Sequence, residues 1–172
     1  KHQVTKPFYM IHVKPPQTAP DFIKKSPLAN AAGRVDVHER TFQHNKYANI
    51  FGLGDATSTP NAKTAAAVRK QVPILVDNIL HLIQGKAVEE KYDGYGSCPL
   101  TTSLSTVMLA EFAYGGKVTP SFPWLDPRKN LFIWWIGKKI GFPWMYWHLM
   151  LKGYRIDIPH LESYAKRFMN EE

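Results

Sequence analysis

The chain has 172 residues, 44% of them hydrophobic and 21% charged. Such a length suits roughly one domain, and the balance excludes a globally disordered, collagen-like or disulfide-scaffold protein. With 22 Lys and Arg against 14 Asp and Glu the net charge is +8, so nucleic acid or an anionic membrane is an acceptable partner surface. A single cysteine, Cys98, excludes an internal disulfide and an all-Cys metal site. If that thiol does redox chemistry, its partner lies outside these residues.

The first ten residues, KHQVTKPFYM, have neither the apolar core of a signal peptide nor a transit-peptide composition. The chain opens almost at once on a strand-like run, Phe8–Val13, stopped by Pro15 and Pro16. A strand so close to a terminus needs neighbours, which points to a fragment or the C-terminal piece of a longer protein. Arg34–Val37 alternates polar with apolar, and Asn49–Leu53 reads as a short buried strand ending at Gly54-Asp55. Residues 61–91 predict one long helix and its exit. Ala65, Ala66, Ala67 and Val68 begin it, and Val72, Leu75, Val76, Ile79, Leu80 and Ile83 continue it at helical spacing. Pro73 should kink it and Gly85 should stop it. Cys98–Thr102 and Thr106–Phe112 predict two strands around a Ser/Leu turn.

All five tryptophans fall between Trp124 and Trp147. Two apolar runs, Leu131–Ile136 and Phe142–Leu151, flank Lys138-Lys139 and Gly141, and each is shorter than the ~18–20 apolar residues of a spanning helix. Two readings stand for them. One is a pair of short helices lying in a membrane interface, with Trp and Tyr at headgroup level and Lys reaching to phosphates. The other is a Trp-rich helical hairpin packed on the protein itself. The seven histidines show no metal-ligand spacing, and no metal is expected.

The stretch Asn49–Ala56 delivers a carboxylate, Asp55, from a strand, and Pro60–Ala67 opens a helix with small residues. Unpaired N–H groups and the positive dipole end of such a helix suit a nucleotide or flavin lying across the junction. Gly52, Gly54 and Asp55 are equally compatible with an ordinary turn, and no Gly-x-Gly-x-x-Gly loop occurs. Cys98, in Gly96-Ser-Cys-Pro99, is on its own either an inert thiol or a reactive one.

These residues carry a resemblance. Asn49–Gln71 (NIFGLGDATSTPNAKTAAAVRKQ) resembles the second flavin-contacting motif of flavoproteins with two dinucleotide-binding domains. Together with Tyr92-Asp-Gly-Tyr-Gly-Ser-Cys-Pro-Leu100, Met10–Pro16 and Gly33–Val37 it resembles the sulfide:quinone oxidoreductases, the mitochondrial-type branch above all. The resemblance implies an α/β fold: the C-terminal portion of a two-dinucleotide-binding-domain (Rossmann-like) flavoprotein, with a short helical membrane-associating C-terminal region. It implies three parts. Residues 1–48 would be a remnant of the second dinucleotide-binding-like domain, 49–123 the FAD-contacting strand–helix unit with the Cys-bearing hairpin, and 124–172 the aromatic, basic membrane and quinone region.

It also implies chemistry. Asp55 would bind the ribityl chain of FAD, and Lys63, Thr64, Ala65 and Ala66 would lie beside the isoalloxazine, whose reduced anionic form the helix dipole favours. Cys98 would be half of a redox pair whose other cysteine, like the Gly-rich FAD loop, belongs to an N-terminal half absent here. Sulfide would leave a persulfide on Cys98, two electrons would pass through FAD to ubiquinone, and the sulfur would go to glutathione or sulfite. The quinone ring would lie near the tail and Val107–Phe112, with Phe112 as a packing residue. The setting implied is a monotopic membrane protein, of the mitochondrial inner membrane first and a bacterial plasma membrane second. The isolated chain would be incomplete and inactive. Alternatives are an NADH:quinone oxidoreductase or a flavocytochrome sulfide dehydrogenase flavoprotein, and, among non-enzymes, a basic nucleic-acid- or membrane-binding module. Nucleic acid is not expected as the partner, because the aromatics cluster with aliphatics and the basic residues are scattered.

Overall fold

The computed structural model describes residues 4–122 and 124–155. Helix α1 (Asp21–Lys24) is a single turn. Helix α2 (Ala65–Ile83) is the longest element. Strands β1 (Gly96–Thr101) and β2 (Val107–Phe112) form an antiparallel hairpin, and helices α3 (Phe132–Ile136) and α4 (Phe142–His148) make up the tail. The architecture is thus a small α/β unit with a two-stranded sheet. Among the described residues no helix is long and apolar enough to cross a membrane.

The predicted long helix forms for the reasons its sequence suggests. Thr64 caps it by accepting a hydrogen bond from the Ala67 N–H at 3.2 Å. It runs through Pro73 without ending, and Gly85 follows its last turn in the left-handed conformation, φ 70°. The predicted hairpin forms as well: β1 begins two residues before the predicted Cys98 and ends one before Thr102, and β2 begins one after Thr106 and ends at Phe112 as predicted. Its turn is held by Ser103 Oγ, which accepts from the N–H groups of Ser105 and Thr106.

Three expectations change. Phe8–Val13 is not a strand: the run carries no ladder bonds and leaves Phe8, Tyr9, Met10, Ile11 and Val13 exposed. Apolar β-formers need a paired neighbour to become a strand, and none of the described residues supplies one. Arg34–Val37 and Asn49–Leu53 contribute only isolated bridges, Val35 to Ala29 and Thr57, Val37 to His44, and Phe51 to Gln43. The two tail runs are not separate helices, because Gly137–Gly141 continues the chain between α3 and α4 as a turn of π-helix.

The core sits where α2 meets the loops on either side of it. Phe42, Tyr92 and Tyr95 are buried together, with Ala66, Ile74, Leu75 and Tyr114 against them. Gln71 lies fully buried inside this apolar cluster. Its Oε1 accepts from the Gly54 N–H at 2.9 Å, and its Nε2 donates to Tyr92 Oη at 3.2 Å. Tyr92 in turn donates to the Tyr95 carbonyl at 2.7 Å. One side chain therefore ties the Gly-Asp turn to the helix and the helix to the loop that carries Cys98. Asn78, two turns further along the same face, does the same for Thr41 and Glu89. Gly94 is obligatory in that loop: φ is 87°, and a Cβ there would come within 2.3 Å of the Tyr114 ring.

Replacing Gln71 by Leu keeps the bulk but orphans the Gly54 N–H and one bond of Tyr92. A loss of about 1–3 kcal/mol is expected in urea unfolding. A loss under about 0.5 kcal/mol, the range of an ordinary surface change, would show that the bridge is dispensable.

Candidate functional site

The hairpin, the start of α2 and the tail enclose a cavity of about 540 Å³. Thr64, Ala65 and Ala66 border it from the first turn of α2, and Cys98 from β1. The first helical N–H groups have no partner inside the helix, and the small side chains there leave them approachable. Phe142, Met145, Tyr146 and Met150 close the opposite side from the tail, with Leu109 and Phe122 between. Four of the sequence-predicted residues are thus brought to one space, which is ligand-sized and mostly apolar.

The others lie apart. Asp55 is exposed in the short 3-10 turn Gly54–Ala56, and its backbone carbonyl accepts from Arg34. Lys63 donates to the Thr59 carbonyl at 2.6 Å and to Thr59 Oγ1 at 3.1 Å. Partial burial holds its pKa below the ordinary lysine value, the Arg34 charge lowers it further, and Asp55 acts in the opposite direction. Asp55, Arg34 and Lys63 form an electrostatic cluster just upstream of the helix start. Phe112 lines two other clefts and packs over Gly96, where a Cβ would meet its ring at 3.1 Å.

The register accounts for Phe112. Ser97 pairs with Glu111 and Pro99 with Leu109, so these four share the face of the hairpin that borders the cavity. Gly96 pairs with Phe112 and Cys98 with Ala110 on the other face. Cys98, half-buried, nevertheless borders the cavity from β1, between Ser97 and Pro99.

Sequence reasoning missed Arg69, Tyr95, Ser97, Glu111, Ser121, Phe122 and Lys138, all of which border the cavity. One signal was available. In Val107–Phe112 the alternation places Glu111 on the same face as Val107 and Leu109, a carboxylate on the apolar side of a strand. Glu111 is buried and accepts from Tyr95 Oη at 2.6 Å, from the Ser121 N–H at 2.9 Å and from Ser121 Oγ. Lys138 crosses from the π turn to β1, donating to the Pro99 carbonyl at 2.9 Å and to Thr101 Oγ1 at 2.7 Å.

The tail is fastened by more than this lysine. Leu131 exchanges backbone bonds with Val107, Phe122 packs on Trp134 with ring centroids 5.0 Å apart, and Arg155 donates twice to the Asp77 carboxylate. That pairing lowers the Asp77 pKa. Trp124, Trp144, Tyr146, Trp147 and Tyr154 nevertheless remain exposed, with Lys139 over the Trp135 ring at 4.6 Å. Residues 156–172 of the predicted membrane region, and residues 1–3, lie outside the described residues. Among the described residues no group of three or more His, Cys, Asp or Glu is placed to hold a metal ion.

Fold and site together define an α/β unit in which a thiol and the open start of a helix border one apolar cavity. Among the curated proteins that share this stretch of sequence are mitochondrial sulfide:quinone oxidoreductases. The chain is 45% identical to that of Mus musculus over 148 residues, 86% of this chain and 33% of the relative. It is 49% identical to that of Dictyostelium discoideum over 145 residues, 84% and 32%, and 36% identical to that of Schizosaccharomyces pombe over 151 residues, 86% and 33%. The resemblance drawn from the motifs is therefore borne out, and the chain spans about a third of the length of the curated relatives it matches. A chain in the cryo-EM structure of the Tetrahymena thermophila mitochondrial ATP synthase F1Fo composite tetramer is also similar, with a TM-score of 0.59 and 29% identity over 90% of this chain and 33% of that one. No family model matches.

Three core tyrosines carry a test of the packing. Burial is the first cause that raises Tyr92, to about 12, and it also raises Tyr95 and Tyr114, Tyr95 being pushed further by the Glu111 carboxylate. All three stay neutral in the folded protein when unfolded tyrosine, with its ordinary value of 10.0, has begun to ionise. Their contribution to stability is therefore intact below about pH 10 and falls as pH rises above it. Phenolate absorbance at 295 nm should show them titrating late and together with unfolding. Ordinary titration of Tyr92 in a still-folded protein would contradict the packed core.

Proposed function

We propose that this chain is the C-terminal part of a sulfide:quinone oxidoreductase, an FAD enzyme that oxidises sulfide and passes two electrons to ubiquinone. The observation that carries the reading is the shared cavity: Cys98 and the Thr64–Ala66 helix start border one space, within the stretch that matches the enzymes. In the wider architecture, residues 49–123 are the FAD-facing strand–helix unit and hairpin of a two-dinucleotide-domain flavoprotein. Residues 1–48 are a remnant of its second domain, and 124–172 the membrane and quinone region. The setting is peripheral to a mitochondrial inner membrane, consistent with the mitochondrial relatives, with the exposed tail aromatics, and with no helix among the described residues being long and apolar enough to span.

The residues present fit one edge of an FAD. Small side chains at the start of α2 border an apolar space at the positive end of the helix dipole, which suits the flat ring system of a flavin and negative charge upon it. Ala65 and Ala66 would hold the ring edge with Thr64 beside it, while Asp55 and Lys63, which lie outside this cavity, would meet only a part of the cofactor that extends beyond it. When bound, FAD supplies a two-electron acceptor that can be reoxidised by a quinone.

Cys98 does the sulfur chemistry. In the proposed cycle it forms a disulfide with a cysteine outside this chain. Hydrosulfide attacks that bond: one S–S bond breaks, another forms, and Cys98 is left as a persulfide while its partner leaves as a thiolate. A thiol or sulfite acceptor takes the outer sulfur and returns Cys98 as a thiolate. Closing the disulfide again releases the two electrons that sulfide brought. Pro99 and the Lys138 bridge hold the strand on which the thiol rides. The exposed Trp and Tyr of the tail seat the protein at the lipid from which the quinone enters.

A second reading rests on the likeness to a chain of the ATP synthase assembly. There the chain would serve as a scaffold, and its thiol would be idle.

The test is Cys98→Ser in the full-length protein. Sulfide-dependent reduction of a quinone analogue should fall at least about a thousandfold, as for loss of a nucleophile, with the flavin spectrum retained. Full turnover in the variant would remove Cys98 from the mechanism. A wild-type protein that holds no flavin and migrates with ATP synthase would favour the scaffold.

A further inference from the structure

We propose that Glu111 is a positioning residue for the quinone, acting through Ser121 and Phe122 on the aromatic wall of the cavity. The inference rests on the proposed oxidoreductase reading for its ligand. Glu111 is the one carboxylate among the described residues that line this cavity. It is 5% exposed, on a strand face otherwise made of Val107 and Leu109. Burying a charge in that position is costly unless the charge is fully hydrogen-bonded, and three donors meet it: Tyr95 Oη–H, the Ser121 N–H and Ser121 Oγ–H.

Two of the three come from one residue, so the carboxylate pins the backbone at Ser121 from both its main chain and its side chain. The backbone of Thr119 adds a bond to the Glu111 carbonyl at 3.1 Å, which fastens the same segment to β2. Phe122 follows directly. Its ring lines the cavity and packs on Trp134 of α3. Leu109, Phe142, Met145, Tyr146 and Met150 make the wall beside Phe122 apolar, while Arg69 and Lys138 border the cavity elsewhere. A flat apolar ring with polar oxygens is the ligand such a wall accepts, and the tail that closes it carries the exposed aromatics. Both oxygens of the carboxylate are engaged by these donors. Glu111 therefore shapes the site instead of handing a proton to the ligand.

In Glu111→Gln an amide N–H₂ replaces one oxygen: either the Ser121 N–H meets a donor, or the Tyr95 and Ser121 hydroxyls must turn to accept, so the charge-assisted hold on Ser121 is weakened while volume is kept. The test uses the full-length protein. The dissociation constant of decylubiquinone, read from quenching of tryptophan fluorescence, should rise about tenfold, matching the loss of a charge-assisted bond. Ser121→Ala, which keeps the backbone donor, should give a smaller rise in the same direction. Flavin reduction by sulfide in a single turnover should stay within about twofold, because the thiol and the helix start are untouched. An unchanged dissociation constant in both variants overturns the inference. So does a parallel fall in quinone binding and flavin reduction, which is what a general loss of structure gives. If the wild type binds decylubiquinone and the shift appears, yet sulfide reduces no flavin, the positioning role stands and the oxidoreductase reading fails.

Discussion

Everything described depends on the amide of Gln71. A helix beginning in alanines has little to grip with, since small side chains bury little area. What fixes the start of α2 against the Gly-Asp turn is instead a buried polar group with both its ends occupied, by the Gly54 N–H and by Tyr92 Oη. Such a pairing is directional where apolar packing is not. It lets the residues around the helix mouth stay small, and so leaves that mouth open. A larger apolar contact could have supplied the stability but would have filled the space.

The cavity is consequently built from two kinds of boundary. On the α2 side there are small side chains and backbone. On the tail side there are large, soft ones, Phe142, Met145, Tyr146 and Met150. The tail is attached to the hairpin by few but specific links: Leu131 beside Val107, Phe122 against Trp134, Lys138 on the carbonyl next to Cys98, and Arg155 on Asp77. Its outward surface remains aromatic and unsatisfied by the described residues. The same segment thus faces a closed interior on one side and an apolar exterior on the other, a natural arrangement for a ligand that dissolves in lipid.

Much of this was legible beforehand, and for identifiable reasons. The helix Ala65–Ile83 announced itself by apolar spacing and a terminal Gly, both of which are local signals. The hairpin followed from two β-rich runs around Ser103–Ser105. Phe8–Val13 failed because a strand depends on a neighbour that composition does not reveal. The break expected at Lys138-Lys139 failed because the backbone absorbed it as a wider turn. Cys98 and Ala65–Ala66 were identifiable from motif resemblance, whereas Arg69, Ser121 and Phe122 reach the site only through tertiary folding. Glu111 stood in plain view on an apolar face, and Phe112 drew attention away from it by being aromatic.

The wide turn at Gly137–Gly141 has a geometric corollary. Each residue advances an α-helix by about 100°, and a π turn accommodates one residue more than an α turn would. Because the wide turn absorbs that extra residue, α3 and α4 keep nearly the phase of one continuous helix, and removing a single residue from the five would let the backbone relax into ordinary helix with Met145 still toward the cavity. Removing a second would swing α4 by about 100° and carry Trp144 or Trp147 inward. Length at this point has one residue of slack and no more.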